Sequence, residues 1–274
     1  MSDHDISLDE KRVYAGESGV ETVFVAADMG VASVSVSGRQ IGRFGLDLQC
    51  EARDVAAGSG NVAVAAAEGV FVDDGLDAGF QDTGFGPATA VTVHDGDVLA
   101  AADNGIVARF DGEWANVGRV DGTVHALDGD LAATDAGVVR IADDLEPAGL
   151  RDVADVSHAG VPHAAAADAL YRLGNGWLDV ETGDFRLVAA DPDDAEPGRV
   201  GRAHAATTDT LYEHDDGDWT PLELPVDDTP AAVAHGDSTY VATGDGTLCL
   251  RTDDGDWRHR SLGLRGVTGL AVPR

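Results

Sequence analysis

Seven acidic residues, Asp28, Glu68, Asp103, Asp135, Asp168, Asp209 and Asp245, recur at one place in a repeated phrase of small apolar residues, a tight turn and a fresh apolar run. Carboxylates set one per repeat around a channel can hold a cation, although Asp is also a common turn former. They stand at one of two offsets before the next apolar run, so the spacing does not make them converge. Calcium takes about six to eight oxygens, and no compact Asp-x-Asp-x-Asp loop is present. His94, His158 and His235 each precede a glycine turn, and His158 and His163 flank Gly160-Val161-Pro162 as the one local histidine pair. Zinc needs about three or four ligands at roughly 2.0 to 2.3 Å, closer than blade spacing allows, so no metal is expected. Gly-x-Ser-x-Gly, phosphate-loop, Cys-x-x-Cys and His-Glu-x-x-His motifs are all missing, and no cofactor is expected. Arg53, Arg151 and Arg202 lie near inner strands without the acid and Tyr/Glu nucleophile a sialidase-like mechanism requires. The seven acidic turn residues with His158 and His163 are therefore the candidate binding residues, and no catalytic residue is named.

The elements that must position them follow from the repeat. The first large apolar residues after each turn, Val31, Val70, Ile106, Val138, Leu170, Leu211 and Leu248, are 32 to 41 residues apart. That is the length of a propeller blade, and seven four-stranded antiparallel blades account for nearly the whole chain. An open solenoid would need distinct caps, whereas both ends read as ordinary blade sequence, so an all-β closed ring is expected. Asp-Gly and Asn-Gly pairs between apolar runs mark the hairpins, as at Asp95-Gly96 and Asn104-Gly105. Alanine is a poor strand former, and its runs at 63–67 and 164–169 also permit a helix; their recurrence between turns favours strands packed where space is short. Trp114, Trp177, Trp219 and Trp257 each follow a glycine hairpin and read as wedges between blades. The hairpin Thr252 to Trp257 resembles a shortened Asp-box. Asp191 to Pro197 is the longest irregular stretch and reads as a mobile loop outside the core. Either Gly266 to Val272 or Lys11 to Ala15 can supply the closing strand.

Fifty acidic residues against 18 basic ones give a net charge of -32, spread along the chain rather than gathered in a tail. Such a surface repels itself until salt shortens the Debye length, to roughly 3 Å at 1 M. A salt-rich cytoplasm is the expected setting. No basic cluster suits a phosphate backbone, so direct nucleic-acid binding is not expected. Residues 1–10 read as an acidic N-terminal tail and 11–274 as the propeller domain, with no signal peptide and no apolar stretch long enough for a bilayer. Cys50 and Cys249 make no disulfide framework, in keeping with a reducing compartment.

Arg12 to Gly16, Gly30 to Gly38 and Ala52 to Ala56 resemble an uncharacterised family of haloarchaeal beta-propeller proteins over nearly the full length. The resemblance implies the fold and the salt-rich cytoplasm and brings no activity or catalytic residues. The expected function is a monomeric, non-catalytic scaffold or binding module for a protein partner. The alternative is a hydrolase, lyase or small-ligand sensor acting at the central channel.

Overall fold

Turn residues that accept positive φ divide the apolar runs. Asp95 (φ 53°) and Gly96 (φ 92°) form the two-residue turn that pairs His94 with Asp97, and Ser59 and Gly60 repeat it. The computed structural model describes residues 19–75, 79–215 and 217–274, which form seven four-stranded antiparallel sheets arranged as blades.

Blade 1 contains β1 (Val20–Ala27), β2 (Gly30–Ser37) and β3 (Gln40–Leu48). Blade 2 follows with β4 (Ala52–Gly58), β5 (Asn61–Ala66), β6 (Val70–Asp73) and a short β7 (Gln81–Asp82). In blade 3 the strands are β8 (Ala88–His94), β9 (Asp97–Ala102), β10 (Ile106–Phe110) and β11 (Trp114–Arg119). Blade 4 comprises β12 (Val124–Asp128), β13 (Leu131–Thr134), β14 (Gly137–Ile141) and β15 (Leu145–Gly149). Next come β16 (Val153–Ser157), β17 (His163–Ala166), β18 (Ala169–Leu173) and β19 (Trp177–Thr182) of blade 5. Blade 6 has β20 (Phe185–Ala190), β21 (Ala203–Thr207), β22 (Leu211–Asp215) and β23 (Asp218–Leu222). Blade 7 holds β24 (Pro230–His235), β25 (Thr239–Thr243), β26 (Thr247–Arg251) and β27 (Trp257–Ser261). The last strand, β28 (Gly269–Ala271), is the inner strand of blade 1 and pairs Ala271, Leu270 and Gly269 with Phe24, Val25 and Ala26. The C-terminal segment thus closes the ring. The alternative at 11–15, the tail at 1–10 and the first resembling segment lie outside the described residues.

The core is a series of apolar layers between neighbouring blades. Second strands carry the alanines, Ala63 to Ala66, Ala132 with Ala133, and Ala203 with Ala205 and Ala206, and all are fully buried. A strand clasped between two sheets near the hub has no room for larger side chains, which overrides alanine's weak strand preference. Tryptophan serves where blades diverge. Trp114 stacks on Phe85 at 4.3 Å and donates to the Thr83 carbonyl of blade 2, while Trp177 donates to the Ala148 carbonyl of blade 4.

The glycine after the acidic turn residue has a steric cause. A Cβ on Gly30, Gly105 or Gly246 would lie 1.9, 2.4 or 2.3 Å from a carbonyl oxygen of the segment leaving the outer strand. All three have positive φ, so conformation and space both require glycine.

Candidate functional site

Inner strands β28, β4, β8, β12, β16, β20 and β24 surround a channel of about 620 Å³. Each inner strand runs from the face that carries the acidic turns, here the upper face, to the lower face. Six of them enter through a β-bulge at one register position, where Arg53, Thr89, His125, Ala154, Arg186 and Ala231 are skipped by the ladder. Thr268 precedes β28 at the corresponding place. A bulge re-aims the extra residue, and Arg53, His125 and Arg186 consequently line the channel.

Below the bulges, three carboxylates face the channel. Asp54 accepts the amides of Val55 (2.8 Å) and of Val91 in the next blade (2.9 Å). Asp155 does the same for Val156 and Val188, both at 2.8 Å. Asp128 accepts the His158 amide at 2.7 Å. Each carboxylate joins consecutive inner strands and satisfies main-chain donors that point away from their own ladder. Burial outweighs those hydrogen bonds and pushes Asp54 up to about 7 and Asp155 to about 8. Burial also raises Asp128, whose charge raises Asp54 and Asp155, and Asp54 raises Asp155 in turn.

At the lower mouth, His158 Nδ1 lies 2.8 Å from Asp130 and its ring meets His94 edge-on with centroids 5.5 Å apart. This close contact with the His158 imidazole holds Asp130 below the usual carboxylate range, and Asp130 raises His158. Beside this mouth, buried Asp191 is held by Arg202 (2.5 Å) and Arg274 (2.9 Å). His235 Nε2 and His204 Nδ1 share a 2.9 Å hydrogen bond in the core, where burial keeps both rings neutral.

The seven acidic turn residues stand, exposed, in the turns between second and third strands. They do not converge. Glu68 accepts the Glu51 amide, Asp103 binds Arg53 at 2.6 Å, and Asp135 binds the Thr123 amide and His125. Asp168 accepts the Tyr171 hydroxyl and Asp245 that of Thr243. Asp28 lies against Gly266, and Asp209 occupies the tip of its turn. His158 and His163 part company. His158 reaches the channel mouth, whereas His163 is in the blade core, bonded to the Val161 carbonyl at 2.7 Å and edge-on to Trp219, with burial lowering its pKa to about 4. Among the described residues no three His, Cys, Asp or Glu side chains are placed to hold a metal.

The segment 191–197 differs from the expected free loop. Asp191 is almost fully buried beneath it, and the Gly198 amide donates to the Gly160 carbonyl at 3.3 Å, so the two departures from the repeat dock on each other. Asp54, Asp128 and Asp155 are not among the candidates the sequence offers, and Asp191 enters there only as the first residue of the irregular stretch. The available signal was an acidic residue inside an apolar inner strand, as in Arg53-Asp54-Val55 and Ala154-Asp155-Val156.

Solved structures share the fold at low identity. A chain of a nidogen/laminin complex matches with TM-score 0.59 and 8% identity over 92% of this chain and 98% of that one. The computationally designed Ika8 protein gives 0.60 and 16% over 93% and 91%. The WD40 beta propeller domain of Doa1 gives 0.58 and 14% over 80% and 85%. No curated protein matches the chain. A family model described as "Beta-prop_HVO_0234:-like, beta propeller" matches residues 7–273. With a closed ring of seven blades and a match over nearly its whole length, the chain belongs to the HVO_0234-like beta-propeller family, in agreement with its haloarchaeal propeller resemblance.

Proposed function

We propose that this protein is a non-catalytic binding module that takes up a protein partner in the cytoplasm through the lower face of the disc, without a cofactor. The observation that carries this reading is the docking of the 191–199 loop on the Gly160 turn. Two irregularities from adjacent blades build one raised rim, and residues 192–194 and 196–199 expose themselves on it. Beside the rim lies a groove of about 750 Å³, lined by Glu21, Arg202, Asp237 and Asp253. Asp193 and Arg274 line both that groove and the channel, which makes the recess continuous. Departures from a repeat commonly map to a binding face. The fold-level likeness to a chain from a nidogen/laminin complex is in keeping with this use.

A second reading rests on Asp128 and Asp130, which flank Gly129 and are shifted in opposite directions. Carboxylates in unequal surroundings can divide acid and base roles, which favours a hydrolase, lyase or ligand sensor at the channel. The decisive experiment is capture of partners at molar salt by the intact protein and by a variant with 192–199 replaced by a short hairpin turn, retaining Asp191 and Arg202. Binding of one specific protein, lost in the variant, supports the module. Absence of a specific partner together with a small molecule retained in the channel overturns it in favour of the second reading.

A further inference from the structure

The bulge positions at the upper mouth carry a charge pattern opposite to that of the molecule. Acidic residues outnumber basic ones 50 to 18 in the chain, yet the six bulged residues include Arg53, His125 and Arg186 and no acid. These three come from blades 2, 4 and 6 and therefore alternate around the axis. All three line the channel. An exposed carboxylate pairs with each: Asp103 with Arg53 (2.6 Å), Asp135 with His125 (2.7 Å) and Asp184 with Arg186 (2.6 Å). A carboxylate that grips one edge of a guanidinium orients it and leaves the remaining N–H donors available. In Arg53, Nη1 serves Asp103 and the Ala88 carbonyl, and in Arg186, Nη2 serves Asp184; the other guanidinium nitrogens make no hydrogen bond within the described residues.

We propose that the upper mouth of the channel is an oxyanion site, in which the free guanidinium edges of Arg53 and Arg186, with His125, receive carboxylate or phosphate oxygens.

Asp54 and Asp155, deeper in the channel, do not compete for these donors. Both oxygens of Asp54 and of Asp155 are occupied by main-chain amides. The exposed acidic turns farther out repel an approaching anion in dilute salt. At molar salt the Debye length of roughly 3 Å confines that repulsion to the turns themselves, and contacts formed inside the mouth prevail. The same chemistry is offered by a free small anion and by an acidic side chain or terminal carboxylate of a protein partner. Planar, paired recognition of either is a property of arginine.

The test uses the intact protein in about 2 M KCl, titrated calorimetrically with inorganic phosphate, succinate and a short oligoglutamate peptide. The expected result is saturable binding of at least one probe, weakened about tenfold or more in Arg53→Gln/Arg186→Gln, as loss of charge-assisted hydrogen bonds implies. Arg39→Gln, which removes an arginine paired with Asp254 and Asp256 on the opposite face, should bind normally. Far-UV circular dichroism and melting establish that the double variant retains its sheets. Should it not fold, the single variant Arg186→Gln, which breaks one exposed pair, carries the test. Binding of phosphate or succinate identifies a small-anion site, and binding of the peptide alone identifies a partner's acidic group. No saturable binding of any probe, or equal binding by wild type and the folded arginine variant, overturns the proposal.

Discussion

Raising the pH from 6.5 to 8 should destabilise the protein through its channel carboxylates. Asp54 and Asp155 titrate in the fold near 7 and 8, against 3.8 for an ordinary Asp. Over this interval the folded state binds protons that the unfolded state has already released, so stability falls as pH rises. Summing the fractional protonation gives a loss of about 2.5 kcal/mol for the pair at about 1.36 kcal/mol per unit. For a domain of this size that corresponds to a melting temperature lower by roughly 5 to 10 °C. Asp128 and His158, both raised, act with the same sign. Between about pH 5 and 6.5 a second group opposes the first. His163, His204 and His235 are kept neutral by burial while their unfolded counterparts are protonated, so their contribution to stability grows with pH. The two groups act against each other there, so the profile should be shallower between about pH 5 and 6.5 than above it. Calorimetric or circular dichroism melts at fixed molar salt provide the measurement, repeated on Asp54→Asn/Asp155→Asn. The variant should melt lower at every pH, because each side-chain NH₂ faces a main-chain N–H, but with a much shallower decline above pH 6.5. A wild-type melting temperature that holds or rises from 6.5 to 8, or a variant that keeps the full decline, would refute the reasoning.

The remaining expectations concern stability. Lowering KCl from molar to about 0.1 M lengthens the Debye length to roughly 10 Å and should lower the melting temperature markedly; an unchanged value would show that surface repulsion is not the main salt-sensitive contribution. Asp191→Ala strands Arg202 and Arg274 around a site whose carboxylate is only 3% exposed, and should cost about 3 to 5 kcal/mol in denaturant unfolding. A loss below about 1 kcal/mol would mean that the pairs Arg274 and Arg202 already make with Asp193 (3.2 Å) and Asp253 (3.3 Å) suffice to hold them. Gly105→Ala meets the Val120 carbonyl at 2.4 Å with φ at +81°, whereas Gly112→Ala, with φ at +111°, meets open space. The first should destabilise by at least about 2 kcal/mol and the second by about 1, a difference read directly from paired melts. Equal losses would remove the steric explanation for the repeated glycine.

Much of the architecture is written locally. Turn glycines, acidic turn residues and buried alanine runs repeat every 32 to 41 residues, and each unit's hairpins depend on φ and strand alternation within a few residues. Blade count, strand order and the wedge role of tryptophan were accordingly legible. The exposed acidic turns were legible too, as turns on one face, because their position depends only on strand polarity. Other features depend on closure. Whether Gly266 to Val272 or Lys11 to Ala15 completes blade 1 depends on which one meets the second strand, and the pairing of Gly269 to Ala271 with Phe24 to Ala26 decides it. The inward placement of Arg53, His125 and Arg186 depends on one extra residue in a ladder, and such a bulge is visible only once the partner strand fixes the register. His94 comes beside His158 across an intervening blade, and Asp54 reaches the Val91 amide of the next one, because the ring brings separate inner strands to a common axis. The sequence by itself determined the blades, since their chemistry is local. Only the tertiary structure decided what lies at the hub, since radial convergence is a property of the closed ring and leaves no periodic mark along the chain.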